Sequence, residues 1–129
     1  MGRVHRFVGT ADSFDWEDVP EKVVTGPGVA GVSGKILVGP LDGAPNFRIR
    51  YFRIEPGGHS ALERHGHDHG VYILHGHGRV RMGEEEVEIS PGDAVYIPGC
   101  ELHQFSAVGD EPLGFLCVIP ARQDVEVHD

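Results

Sequence analysis

Residues 56–77 read Pro56-Gly-Gly-His59-Ser-Ala-Leu-Glu63-Arg-His65-Gly-His67-Asp-His69-Gly-Val71-Tyr-Ile-Leu74-His75-Gly-His77. Six of the chain's nine histidines fall in the nineteen residues from His59 to His77. Glu63, His65, His67 and His69 alternate. On an extended strand, residues two apart point to one face, so a single face would carry up to four metal donors. Imidazole together with carboxylate suits Mn, Fe, Co, Ni, Cu or Zn, and the stretch reads as a transition-metal site. The bland reading is a solvated histidine-rich loop or a polar strand face. The frame speaks against it, because the run opens on the turn Pro56-Gly57-Gly58 and leads into the apolar Val71-Tyr72-Ile73-Leu74.

Outward from this stretch, turns punctuate short apolar runs. Val32–Val38 and Phe47–Ile54 precede it as strands, separated by the turn-rich segment Leu41–Asn46. Val71–Leu74 is apolar at every position and is expected as a central strand covered on both faces. Gly76 and Gly78 interrupt before Arg79–Met82. Gly83-Glu84 reads as a hairpin turn into Glu85–Ile89. Ala94–Ile97, His103–Val108 and Gly114–Ile119 complete about nine short strands, which implies a barrel or jelly roll. Residues 1–28 are poor in pattern, with a short strand possible over Val4–Val8 and one helical turn around Trp16 within Ser13–Val19. The acidic tail Asp124–Asp129 is expected to be mobile.

Composition narrows the function classes. A length of 129 residues suits one domain. Nineteen glycines and nine prolines between apolar runs fit an all-β chain. A net charge of −9 argues against non-specific nucleic-acid binding, which needs a basic face. No window is apolar for long enough to span a membrane, and the first residues lack an apolar signal core, so the expectation is a cytoplasmic protein. Cys100 and Cys117 are expected as reduced thiols, with Cys100 as a small buried filler near His103.

A second motif lies downstream: Gly92-Asp-Ala-Val-Tyr-Ile-Pro98-Gly99-Cys100-Glu-Leu-His103-Gln-Phe-Ser-Ala107. With the histidine run, it resembles the cupin family. The first cupin motif is a glycine turn, His-x-His, three or four residues, then Glu or His, and a glycine after a further apolar strand. The second is Gly-x5-Pro-x-Gly-x2-His-x3-Asn. Gly92, Pro98 and His103 match at the right spacing, Cys100 stands at the motif's second glycine, and Ala107 replaces Asn. The resemblance covers residues 56–107 and implies a single-domain, antiparallel jelly-roll β-barrel over residues 29–121. Residues 1–28 would pack on the barrel or on a dimer partner, through Phe7, Phe14 and Trp16, and residues 122–129 would form the tail.

The resemblance also implies one divalent transition metal per chain (Mn, Fe, Ni, Cu or Zn). In the first motif, a pair starting at His65 and His67 would leave Val71 or Tyr72 at the third ligand place. A pair starting at Glu63 puts competent donors at Glu63, His65 and His69, with His103 from the second motif. Glu63, His65, His69 and His103 are therefore the expected ligands, with His67 as alternative and Glu63 also as a catalytic base. His59, His75 and His77 are expected to pack locally or face solvent. His5 and His128 carry no signal.

Parity then nominates the pocket. If His69 points inward, so do Val71 and Ile73; if His103 does, so do Phe105 and Ala107. On the strand 47–54, either Arg48, Arg50 and Phe52 or Phe47, Ile49 and Tyr51 face in, and an inward Arg50 would call for an acidic substrate. Arg50, Phe52, Val71, Ile73 and Phe105 are the expected substrate contacts, and a mostly apolar pocket favours an aromatic or otherwise hydrophobic ligand. The resemblance implies a dioxygenase-like enzyme acting on a small oxygenated molecule. The alternatives are a metal-dependent isomerase or lyase on a carbonyl or sugar-like substrate, and a non-catalytic binding module.

Overall fold

A computed structural model describes residues 1–121, so the expected acidic tail lies outside the described residues. The strands are β1 (Lys22–Val24), β2 (Ala30–Val38), β3 (Phe47–His59), β4 (His69–His75), β5 (His77–Met82), β6 (Glu85–Ile89), β7 (Ala94–Ile97), β8 (His103–Val108) and β9 (Leu113–Pro120). One turn of 3-10 helix, Pro40–Asp42, lies between β2 and β3. All ladders are antiparallel. No helix among the described residues is long and apolar enough to cross a membrane.

The long strand β3 makes the barrel. Its first part pairs with β2 on one edge and β9 on the other, and β9 passes the ladder to β4 and β7. Its end crosses over, so that His59 pairs with Ser106 of β8, which leads to β5 and β6. Two sheets that share β3 thus face one another. Their inner faces meet in one apolar core, in which Phe105 of β8 stacks on Phe115 of β9 with ring centroids 4.7 Å apart. Ile54, Ile73, Val80, Ile97 and Leu113 are fully buried around them.

Several details differ from the sequence expectations. Pro56-Gly57-Gly58 is not a turn that ends a strand but a bulge inside β3. Val32 pairs with Ile54 and Ala30 with His59, so two steps along β2 face five along β3. Gly57 takes φ 80°, and a Cβ on Gly58 would lie 2.5 Å from the Ala30 carbonyl oxygen. β4 is central in its ladder but covered on one face only: Val71 and Ile73 are buried, whereas Tyr72 is exposed.

Residues 1–20 form neither the strand nor the helical turn expected of them. They hold an isolated Phe7–Trp16 bridge, and Phe7, Phe14 and Trp16 make edge contacts with one another. Phe14 and Trp16 pack against Tyr51 on the outer face of β3. His5, read as carrying no signal, anchors this arm: its Nε2 lies 2.7 Å from Asp42 Oδ1. The hydrogen bond to Asp42 raises the His5 pKa above the ordinary imidazole value.

Candidate metal centre

His69 opens β4 and His103 opens β8. The third imidazole, His65, comes from the loop between β3 and β4. That loop is not the extended strand its alternation suggested; it lies along β8 and is tied to it at two points. Ser60 N–H donates to the Phe105 carbonyl (2.9 Å), and Glu63 and His103 exchange both backbone hydrogen bonds (3.1 and 2.9 Å). The Cys100 N–H donates to the His65 carbonyl, fixing the loop against the turn before β8. A Cβ on Gly99 would lie 2.6 Å from the Gly66 oxygen, so this close approach requires glycine there. Cys100 is exposed rather than a buried filler, and its φ of 69° is in the left-handed region that suits the glycine of the resembled motif.

The side-chain nitrogens of His65, His69 and His103 lie within 4.8 Å of one another. The His103 Nδ1 donates to the Glu101 carbonyl at 2.8 Å, which leaves Nε2 with its lone pair. The His69 Nδ1 lies 3.4 Å from Cys117 Sγ, and its buried Nε2 has no hydrogen-bond partner. A buried polar atom without a partner is costly, and a metal ion would satisfy it. Burial, and then the neighbouring His103, His67, Arg50 and His65, push the His69 pKa down to about 3; burial likewise lowers that of His103. Both are neutral imidazoles at neutral pH, the form that binds metal. The residues present therefore fit a divalent ion.

Glu63, expected as a ligand, does not join the three imidazoles. Its carboxylate is half exposed and sits 3.0 Å from His65 Nε2. The alternative ligand His67 stacks on His65 and on His69, with centroids 5.0 and 4.8 Å apart, and lies outside the converging trio as well.

The trio and both of these residues line a cavity of about 850 Å³ between the sheets. Arg50, Phe52 and Phe105 line it as expected, together with Ile54, Phe115 and Cys117. Val71, Ile73 and Ala107 do not. Val71 and Ile73 are buried in the core and Ala107 packs against it, because the core fills the barrel beyond His69 and His103. Arg50 is the cavity's distinctive charge. Its guanidinium lies 4.9 Å above the Phe52 ring, one Nη donates to Cys117 Sγ at 3.2 Å, and its buried Nε has no partner.

His75 and His77 stay apart from the centre. His77 is exposed beside Ser90 Oγ, and His59 packs locally. His75 is half-buried rather than solvent-facing. A β-bulge between Ile73 and His75 turns its ring to the outer face, where it bonds Tyr51 Oη and the Pro112 carbonyl.

The lowered His69 and His103 pKa values have a consequence for the metal-free protein. In the unfolded chain a histidine takes up its proton near pH 6.5. Folded His69 does so only near pH 3. Between these values the unfolded state binds the extra proton, so stability falls as pH falls from about 6.5. Urea unfolding in EDTA should show this loss, and His69→Ala should make the slope shallower by up to about one proton. An unchanged slope would mean that His69 is not held neutral.

Residues 50–119 match the Cupin_2 family, whose description is "Cupin domain". Over 76 residues, 59% of this chain, the sequence is 53% identical to the 1-methylthio-D-xylulose 5-phosphate methylsulfurylase of Rhodospirillum rubrum. The chain spans about half the length of the curated relatives it matches, 49% and 50%. Among solved structures, a cupin-2 domain from R. rubrum is similar at 38% identity and TM-score 0.82, over 91% of this chain and 79% of that one. The polyketide cyclase RemF of Streptomyces resistomycificus is similar at 29% identity and TM-score 0.80, over 98% and 84%.

Proposed function

This chain belongs to the cupin-domain family, and from that premise we propose that it is a metal-dependent enzyme acting on a small anionic carbonyl compound, by isomerase- or lyase-type chemistry. The observation that carries the reading is Arg50: a guanidinium facing the cavity beside three converging imidazoles, with no carboxylate paired to it among the described residues. A half-buried cation without a paired carboxylate favours an anionic ligand, and the planar fork suits a carboxylate or phosphate. A divalent metal on His65, His69 and His103 would polarise a chelated carbonyl or, if redox-active, pass electrons from substrate to O2. Around it, Arg50 would hold the ionised end of the substrate, and Phe52, Phe105 and Phe115 would keep water from its carbon skeleton. Glu63, whose carboxylate lies 3.0 Å from His65 Nε2 at the cavity wall, is placed to accept a substrate proton. The R. rubrum relative, named for a phosphorylated ketose, agrees with this substrate class.

The aromatic wall supports a second reading, dioxygenase-like turnover of an enediol or catechol-like anion at the same centre. The experiment is elemental analysis of untagged protein purified without a metal column, followed by turnover assays in an oxygen electrode. Roughly one metal per chain, with ketose phosphate consumed and no O2 uptake, is expected. Uptake of O2 with enediols or catechols would move the assignment to the second reading. Protein that stays metal-free after reconstitution would sink both, leaving a binding barrel.

A further inference from the structure

β9 lies between β3 and β4, and one of its inward side chains sits between the two halves of the site. Cys117 pairs across one ladder with Arg50 and across the other with Val71, two residues beyond His69 on the same face. Its Sγ is 3.2 Å from an Arg50 Nη and 3.4 Å from His69 Nδ1. The guanidinium can only donate. For His69 to present a lone pair at Nε2, its proton must sit on Nδ1, so this bond too runs towards sulfur. We propose that Cys117 is a positioning residue whose sulfur accepts an N–H from Arg50 and one from His69, fixing the His69 tautomer and the aim of Arg50 together. The metal-facing histidine and the anion-holding arginine then share one acceptor, so disturbing it disturbs both. The proposal rests on the reading of those two residues given above.

The competing account is that Cys117, buried at 3% exposure, is an apolar filler like many free cysteines. Two substitutions separate them. Valine keeps the apolar volume and accepts no hydrogen bond; serine is smaller and more polar but accepts. A filler role predicts that Cys117→Val is the milder change, a positioning role that Cys117→Ser is.

Two measurements are made on the full chain. In metal-free protein, the side-chain 15N spectrum of His69 should report the Nδ1–H tautomer in wild type and Cys117→Ser, and a mixture in Cys117→Val. In Co(II)-loaded protein, Cys117→Val should weaken Co(II) about tenfold or more in chelator competition, the range for lost outer partners of a metal ligand. Oxalate, a bidentate dianion probe, should weaken by a similar factor, while Cys117→Ser stays within about threefold for both. Cys117→Ala serves if the valine variant does not fold. A valine or alanine variant with the wild-type tautomer and both affinities intact overturns the proposal. A wild type that binds no Co(II) would defeat the metal reading, and the metal-free tautomer comparison would still decide the role of Cys117.

Discussion

His69→Ala and His103→Ala should each lower metal affinity by at least about 100-fold, above the 10–100-fold range seen for outer partners of metal ligands. Both side chains are buried, both are held by their Nδ1 atoms, and both contribute a nitrogen to the converging trio. Losing either leaves two imidazoles, too few to hold an ion by themselves. His75→Ala should leave metal content unchanged, since its ring lies on the outer face, but should lower stability by about 1–3 kcal/mol because it leaves Tyr51 Oη and the Pro112 carbonyl without their partner. Glu63→Ala should weaken metal binding less than either ligand loss, because its carboxylate touches His65 but is not part of the converging trio. Metal titration monitored by calorimetry would decide. Equal losses in His75→Ala and His69→Ala would remove the assignment of the centre.

Gly76→Ala should destabilise the fold by about 3 kcal/mol or more, from the left-handed backbone penalty and overpacking combined. Gly76 is the single residue between β4 and β5 and takes φ 74°. A Cβ there would run into the backbone carbonyl of Pro112, which cannot swing aside as a side chain could. Denaturant unfolding would show the loss as a lower midpoint. A change under about 1 kcal/mol would mean that the hairpin relaxes freely.

The strands were legible because period-two apolar runs bounded by Gly and Pro encode them directly. From β4 to β9 the boundaries differ from the expectations by at most two residues. Bulges were not legible. The five-against-two step at Pro56-Gly57-Gly58 and the slip at Leu74 depend on what the neighbouring strand does, and the second one reversed the placement of His75. His65, His69 and His103 were found by residue type and motif spacing. Alternation alone admits Glu63 and His67 equally, because it presupposes a strand where the chain runs as a loop held by β8. Val71 and Ile73 show the limit of parity, which gives the face of a sheet but not the depth along the barrel. Cys117 carried no signal as a single thiol in an apolar strand, since its meaning depends on two partners that are 48 and 67 residues away in the chain.

The insertion of β9 between β3 and β4 also sets the order in which the molecule can be built. β3 leaves the ribosome with its Phe47 edge waiting for Pro120, the residue it pairs with. At about 5–20 residues per second, that wait lasts about 4–15 s. Until then β3 and β4 each present an unpaired edge, the kind of surface that recruits other chains. Slow, non-local closure of this sort is the rule for β-barrels. Arg50 and His69 therefore acquire their common neighbour only once β9 has been made, and yield during expression should respond to translation rate and temperature more than the final stability alone would suggest.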